Sequence, residues 1–257
     1  MKEYIHRTYR NWMKGEDLIY FHVSEEESDL YIGSLGNLSD LALKSLKKYR
    51  KDIRDYISEV PEFKTSLIPL PLGSSMSPVV RDMTETSSLA GVGPMAAVAG
   101  AIAERVARDL LPFSEEVIVE NGGDLYLAGK KMRKIGIFAG ESSLSGRLAI
   151  ALTGEELPLA VATSSGTVGP SLSFGKADAV LVLSSSGALA DASATALGNL
   201  VSEPEDFEQA IEKAKEITGI RGVIIICKEK ICIWGDVRLL PVTTQVYRNS
   251  LPPFKLK

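Results

Sequence analysis

The sequence is poor in the residues that build compact inorganic centres. It has two cysteines and two histidines, His6 and His22, in 257 residues. Two cysteines exclude a disulfide-dense scaffold and a four-cysteine zinc site. Two histidines exclude a histidine-rich metal centre. Cys227 and Cys232 have neither C-x-x-C nor zinc-pair spacing, so they read as core side chains of a C-terminal hairpin. A Ser-His-Asp triad is not expected, because both histidines lie in the N-terminal hairpin region. Basic excess is absent too: 29 Lys and Arg face 33 Asp and Glu, a net charge of -4, which speaks against a nucleic-acid footprint. The longest strongly apolar run, Ala90 to Ala103, has 14 residues. A bilayer needs ~20, so no membrane partner is expected. Met1-Lys2-Glu3-Tyr4 leads into a polar segment with no apolar h-region, and the expected compartment is the cytoplasm.

What is present is an ordinary globular composition, 45% apolar and 24% charged. Asp17 to Val23 and Ser28 to Gly33 read as a hairpin turned at Glu25-Glu26-Glu27. Ala42, Leu46, Tyr49, Ile53, Tyr56 and Ile57 mark one face of a helix capped at Asn37 or Ser39 and ended by Pro61. Its six lysines and arginines between Lys44 and Arg54 read as a solvated face. Phe63 to Leu67 reads as a strand, and Pro69, Pro71, Gly73 and Pro78 as an apolar, buried connection. That connection sets the expected division: residues 1–60 as a hairpin-helix lobe and 61–257 as the core, together one compact unit. A helix is expected over Ala90 to Leu110, with Ala and Gly on one side so that another backbone can approach closely. Strands at Glu116–Glu120, Leu125–Ala128, Lys134–Ala139, Arg147–Leu152, Leu159–Thr163 and Ala179–Leu183 follow, then helices at Ala188–Val201 and Pro204–Thr218, then a hairpin of Gly222–Cys227 and Ile231–Trp234. The alternation predicts a mixed α/β fold, with mixed sheets flanked by helices.

Charge scarcity is the sharpest local signal. Residues 157–202 number 46 and carry three charges, Lys176, Asp178 and Asp191, where about 11 would be average at 24%. A carboxylate in such a segment needs a partner. Asp191 and Thr195 are one helical turn apart on a single face. A carboxylate, a hydroxyl and a backbone carbonyl make a hard oxygen site for Mg²⁺ or Ca²⁺. The competing reading has Asp191 only cap a helix. A second signal is Glu120-Asn121-Gly122-Gly123-Asp124 between two strands: its amides can hold a phosphate, or it is a plain Asn-Gly hairpin turn. The third is the hydroxyl-rich run Thr163-Ser164-Ser165-Gly166-Thr167, continued by Gly169-Pro170-Ser171 and by Ser173-Phe174-Gly175-Lys176. It can cradle phosphate but is not a Walker A loop.

Taken in order, these segments resemble the ApbE superfamily of FAD:protein FMN transferases. That superfamily shows a Gly/Ala-rich helix, an N-x-G-G-D turn, a T-S-G segment and A-D-A-x-A-T on a helix. Here these are Gly93 to Glu104, Asn121 to Asp124, Thr163 to Gly166 and Ala190 to Thr195, spanning roughly residues 90–235. The closer resemblance is to an uncharacterised ApbE-like (UPF) family, through AGVGPMAAVAGAIAE, ENGGD, TSSGTVG, SFGKADAV and LADASATALGN. The resemblance implies Mg²⁺ on Asp191 and Thr195, with a carbonyl from near Gly93 to Ala97, and a flavin nucleotide, FAD or FMN, beside Gly122, Gly123 and Asp124. It implies a small-molecule phosphate ligand and is compatible with a homodimer. Two departures oppose FMN transfer. The K-G-Y-A-x-D stretch of the transferases reads Ala-Gly-Ala-Ile-Ala-Glu here, and their H-I-I-D-P-x-T-G segment has no histidine or Asp-Pro here. Relatives of the closer family are linked to sulfide assimilation and homocysteine formation, so a non-catalytic accessory role there is the alternative expectation.

Overall fold

The structure is a computed structural model that describes residue 10 and residues 15–167 and 174–242. Strands β1 (Ile19–Glu25) and β2 (Ser28–Ser34) form the expected hairpin. Alternation puts Phe21, Val23, Leu30 and Ile32 on one buried face. Helix α1 (Ser39–Glu59) buries Ala42, Leu46, Tyr49 and Ile53. Its cap residue is Leu38, while Asn37 Oδ1 accepts from Ser39 N at 3.0 Å. The basic side is solvated at Lys44, Lys47, Lys48, Lys51 and Arg54, while Arg50 is largely covered; Arg50 and Arg54 both pair with Glu26 across the hairpin turn.

The next segment corrects three expectations. Residues Glu62–Thr65 form a short helix, α2, not a strand. The connection after it is exposed, with Leu67 at 58% and Ile68 at 70%, not buried. Helix α3 (Pro78–Ala90) then stands where the sequence suggested irregular chain. Pro78 occupies the first helical position, where its missing N–H costs nothing. Val79, Val80, Met83, Ser87 and Ala90 supply the buried face. Gly91, at φ 79°, ends α3, and its N–H reaches Ser87 O. The single helix expected over Ala90 to Leu110 is therefore broken. A 3-10 turn, Pro94–Ala97, leads into α4 (Val98–Leu110).

Strands β3 (Val117–Asn121), β4 (Asp124–Ala128), β5 (Arg133–Gly136), β6 (Leu148–Leu152), β7 (Leu159–Ser164) and β8 (Ala179–Ser184) come next. Helices α5 (Gly187–Leu200) and α6 (Phe207–Glu216) precede β9 (Ile220–Cys227), β10 (Lys230–Gly235) and β11 (Leu239–Pro241). The large sheet has the order β1-β2-β3-β4-β7-β8-β9-β10, and the small one β11-β6-β5. The α/β class holds, but every strand pair is antiparallel rather than mixed. Because β2 pairs with β3, the N-terminal hairpin continues the main sheet.

Period-two alternation sorts the core into two layers. Val117, Val119, Tyr126, Val180 and Val182 face the helices, beside Leu46, Met83, Val106 and Leu197. Ile118, Leu127, Val161, Leu181 and Leu183 face the small sheet, with Ile135, Ile150 and Leu152. The helices thus cover one face of the large sheet and the small sheet covers the other. Cys227 is buried in the helix-side core and Cys232 is partly buried, both as free thiols. No single helix among the described residues is long and apolar enough to cross a membrane.

Candidate functional site

The site grows from the crossing of α4 and α5. Gly100 and Gly187 meet there backbone to backbone. A Cβ on Gly100 would lie 2.7 Å from Gly187 C, and one on Gly187 would lie 3.0 Å from Gly100 C. Each helix then caps the other. Asp191 Oδ2, on α5, accepts from Gly100 N near the start of α4 at 2.9 Å. Glu104 Oε2, on α4, accepts from Gly187 N at the start of α5 at 2.6 Å. Both carboxylates stand four residues after the glycine of their own helix. Amide groups that a helix start leaves unpaired, and the positive end of its dipole, are satisfied in both directions. Asp191 is therefore a cap, of the neighbouring helix rather than its own.

Capping does not exhaust Asp191. Its carboxyl group hydrogen-bonds that of Asp124, at the first position of β4. Asp124 is buried, and its Oδ1 accepts from Thr163 N at 2.9 Å. Burial first, and then the charge of Asp191, pushes the Asp124 carboxyl well above the usual carboxylate range. Burial likewise raises Asp191 to about 7, against the opposing pull of the Gly100 and Ala99 amides. Among the described residues neither carboxylate pairs with a lysine or arginine. Two acids are thus pressed together without a basic partner among the described residues.

The turn that carries Asp124 is a two-residue hairpin, with Asn121 opposite Asp124 and positive φ at Gly122 (68°) and Gly123 (110°). Asn121 Nδ2 donates to Ala99 O at 3.0 Å, tying the turn to α4. Gly123 N donates to Glu120 Oε1 at 2.8 Å. Buried Glu120 also pairs with Arg10, whose Nε donates to Oε2 at 2.6 Å. The Gly123 amide expected to hold phosphate is thus turned to a carboxylate, while the space over Gly123 is open.

A cleft of about 2110 Å³ runs past these groups. Asn121, Gly122, Gly123, Asp124, Thr163, Ser164, Ser165, Asp191 and Thr195 all line it. Gly166, Thr167 and Lys176 do not. Gly166 N bonds Ala177 O, Thr167 Oγ1 leans on Asp178 at 3.4 Å, and Lys176 is exposed beside the end of α5. Gly169-Pro170-Ser171 and Ser173 lie outside the described residues, as does His6. Sequence reasoning singled out Glu120 with its turn but missed its partners, and it missed Asn199 and the role of Ala99. Asn199 follows Asp191 and Thr195 at the same four-residue step, a spacing legible in the sequence. The Arg10–Glu120 pair spans 110 residues and left no local signal.

The donor set fits a hard divalent cation. Asp124, Asp191 and Thr195 all line the cleft and offer only oxygen donors. No group of three or more His, Cys, Asp or Glu forms a metal cluster among the described residues. A cation here would rest on Asp191, Asp124 and Thr195, completed by carbonyl or water oxygen. It would supply the positive charge that the paired acids lack.

Fold and site together define a class. The solved structures of ApbE flavin transferase from Vibrio cholerae (TM-score 0.58, 15% identity, 84% of this chain and 96% of that one) and of Pseudomonas stutzeri flavinyl transferase ApbE in its apo form (TM-score 0.55, 16% identity, 84% and 93%) share the architecture. The chain has the ApbE-like fold. Sequence narrows this further. The family model described as AbpE bacteria matches residues 10–239. A UPF0280 protein of Methanocaldococcus jannaschii is 42% identical over 195 residues, 74% of this chain and 79% of its own length. Another, of Methanosarcina barkeri, is 35% identical over 220 residues, 85% and 86%. The chain belongs to the UPF0280 family of ApbE-like proteins.

Proposed function

We propose that the protein binds a phosphate-bearing nucleotide, in the first instance FAD or FMN, together with Mg²⁺ or Ca²⁺ in this cleft, and does not transfer FMN to protein. The observation that carries the reading is the unneutralised Asp124–Asp191 pair beside Thr195. The Asp124–Asp191 pair offers a phosphate no positive charge, so a phosphate entering alone gains nothing there. A cation held there supplies that charge, and metal and phosphate bind as a coupled pair. The flavin assignment draws support from the structural neighbours, which are flavin transferases. The non-transferase half rests on two positions. Ala99 stands where the resemblance places a lysine. Glu104, where it places an aspartate, is spent on Gly187 N and Arg108 and does not line the cleft.

The test is thermal unfolding with millimolar Mg²⁺, with FAD, FMN or ADP, and with both. A ligand at about 100 times its Kd stabilises by about 2.7 kcal/mol. For a domain of this size that is roughly 5–10 °C. The expected result is a rise with metal and nucleotide together that exceeds the sum of the separate rises and disappears in Asp191→Ala. Equal shifts in wild type and Asp191→Ala, or none with any of the three nucleotides, would remove the reading.

A further inference from the structure

Phe174 is among the most exposed large apolar side chains of the described residues, at 62% of its surface, and it lines the same cleft. Its backbone is not loosely held. Phe174 N donates to Asn199 Oδ1 at 2.9 Å, and Lys176 N donates to Val201 O at 2.8 Å. Between them Gly175 lies against the Gly198 and Val201 carbonyls, so closely that a Cβ would stand 2.6 Å from Val201 O. Three contacts thus clamp the backbone of this segment on the C-terminal end of α5, and the Phe174 ring stands exposed where it lines the cleft. An apolar ring fixed in the open costs hydration free energy unless something covers it.

The same helix supplies the distance. Asp191, Thr195 and Asn199 follow one another at four-residue steps along the cleft. At ~1.5 Å per residue, Asn199 lies about 12 Å along the axis from Asp191 and about 6 Å from Thr195. That span suits a molecule with its phosphate at the acidic end and a planar ring at the far end. We infer that Phe174 is the stacking platform for the heteroaromatic ring of a nucleotide whose phosphate lies at Asp191 and Thr195. This inference rests on the reading proposed above and adds a ring to its ligand. Exposed aromatic faces accept bases by stacking without reading their edges, so a purine or an isoalloxazine is accommodated alike.

The experiment measures binding of three probes in millimolar Mg²⁺: ADP, FMN and ringless pyrophosphate. Phe174→Ala is expected to weaken ADP or FMN about tenfold or more, the usual loss for one stacked base. Phe174→Trp is expected to hold the wild-type affinity, and pyrophosphate is expected to bind wild type and Phe174→Ala equally. Which of ADP and FMN responds identifies the ring. Unchanged binding of both by Phe174→Ala, with all binding still lost in Asp191→Ala, overturns the platform and leaves the metal-phosphate site standing. Pyrophosphate weakened as much as the ring-bearing probes overturns it too, since a general distortion would then be the cause. Absence of Mg²⁺-dependent binding of all three probes by wild type overturns the platform and the proposed function together.

Discussion

Replacing Gly100 by alanine is a severe test of the α4–α5 crossing, because local and tertiary effects have opposite signs. Alanine in a helix is favoured over glycine by up to about 1 kcal/mol. Judged by propensity alone, Gly100→Ala stabilises. The new Cβ, however, would lie 2.7 Å from Gly187 C and 2.8 Å from Asp191 Cβ, and nearer still to the Gly187 carbonyl oxygen. Carbon atoms sit comfortably at about 3.5–4.0 Å, so the helices must part by about 1 Å. The obstacle is backbone, which cannot rotate aside. Overpacking of this kind costs about 1–3 kcal/mol, and the upper end applies, leaving about 2 kcal/mol net after the propensity gain. For a chain of this length that lowers Tm by roughly 4–8 °C. Parting the helices also draws Asp191 from Gly100 N, so the Mg²⁺ response should weaken with the stability. Gly187→Ala should behave alike, and the double variant should cost less than the sum, because one separation relieves both clashes. Gly36→Ala is the control: its Cβ meets nothing within 4 Å, and it should stay within about 0.5 kcal/mol of wild type. The assay is urea and thermal unfolding of the five proteins. A Gly100→Ala protein as stable as wild type or more so would show that the helices do not touch here, and the reciprocal caps would fall with them.

Three further outcomes are expected. Gly123 has φ 110° in open space, so Gly123→Ala should lose about 1 kcal/mol or more to backbone strain alone; urea midpoints that do not move would contradict the turn. Arg133, and after it Lys131, hold the Asp17 carboxyl below the usual carboxylate range. A depressed carboxylate stabilises the native state above its unfolded pKa of about 3.9, and that contribution fades as pH falls through the folded value. The stability gap between wild type and Asp17→Asn should therefore be full at pH 6 and shrink below about pH 4, and a gap that stays constant would refute the ion pair. Lastly, an acceptor peptide containing threonine, incubated with FAD, Mg²⁺ and the protein, should gain no FMN by mass spectrometry; a flavinylated product above the enzyme-free control and lost in Asp191→Ala would show that other residues replace the missing lysine and histidine.

The sequence by itself determined the repeating elements and the parts list of the site. The strand readings from Glu116 to Trp234 match β3 to β10 within a few residues, β11 went unread, and the 3-4 spacing gave α1. The charge-poor stretch pointed to Asp191, and Asn121-Gly122-Gly123-Asp124 was legible as a turn because its paired glycines take positive φ at no steric cost. Glycine and alanine along Gly93 to Ala103 announced a close backbone approach, though not to which partner. Local information failed where a residue's meaning depends on its place. Pro78 reads as a break but opens α3, because a proline at the first helical position loses no hydrogen bond. The apolar run around Leu67 and Ile68 reads as buried, yet both side chains are exposed. Only the tertiary structure decided that Asp191 caps α4 instead of its own helix, and that Asp124 presses on it from 67 positions away in sequence. It also decided that Gly123 spends its amide on Glu120 and that Lys176 stays off the cleft. Periodicity is written within a few residues, because backbone geometry repeats there. The neutralisation of a buried carboxylate is settled by whichever elements the sheet order brings to its side, and no stretch of the chain encodes that alone.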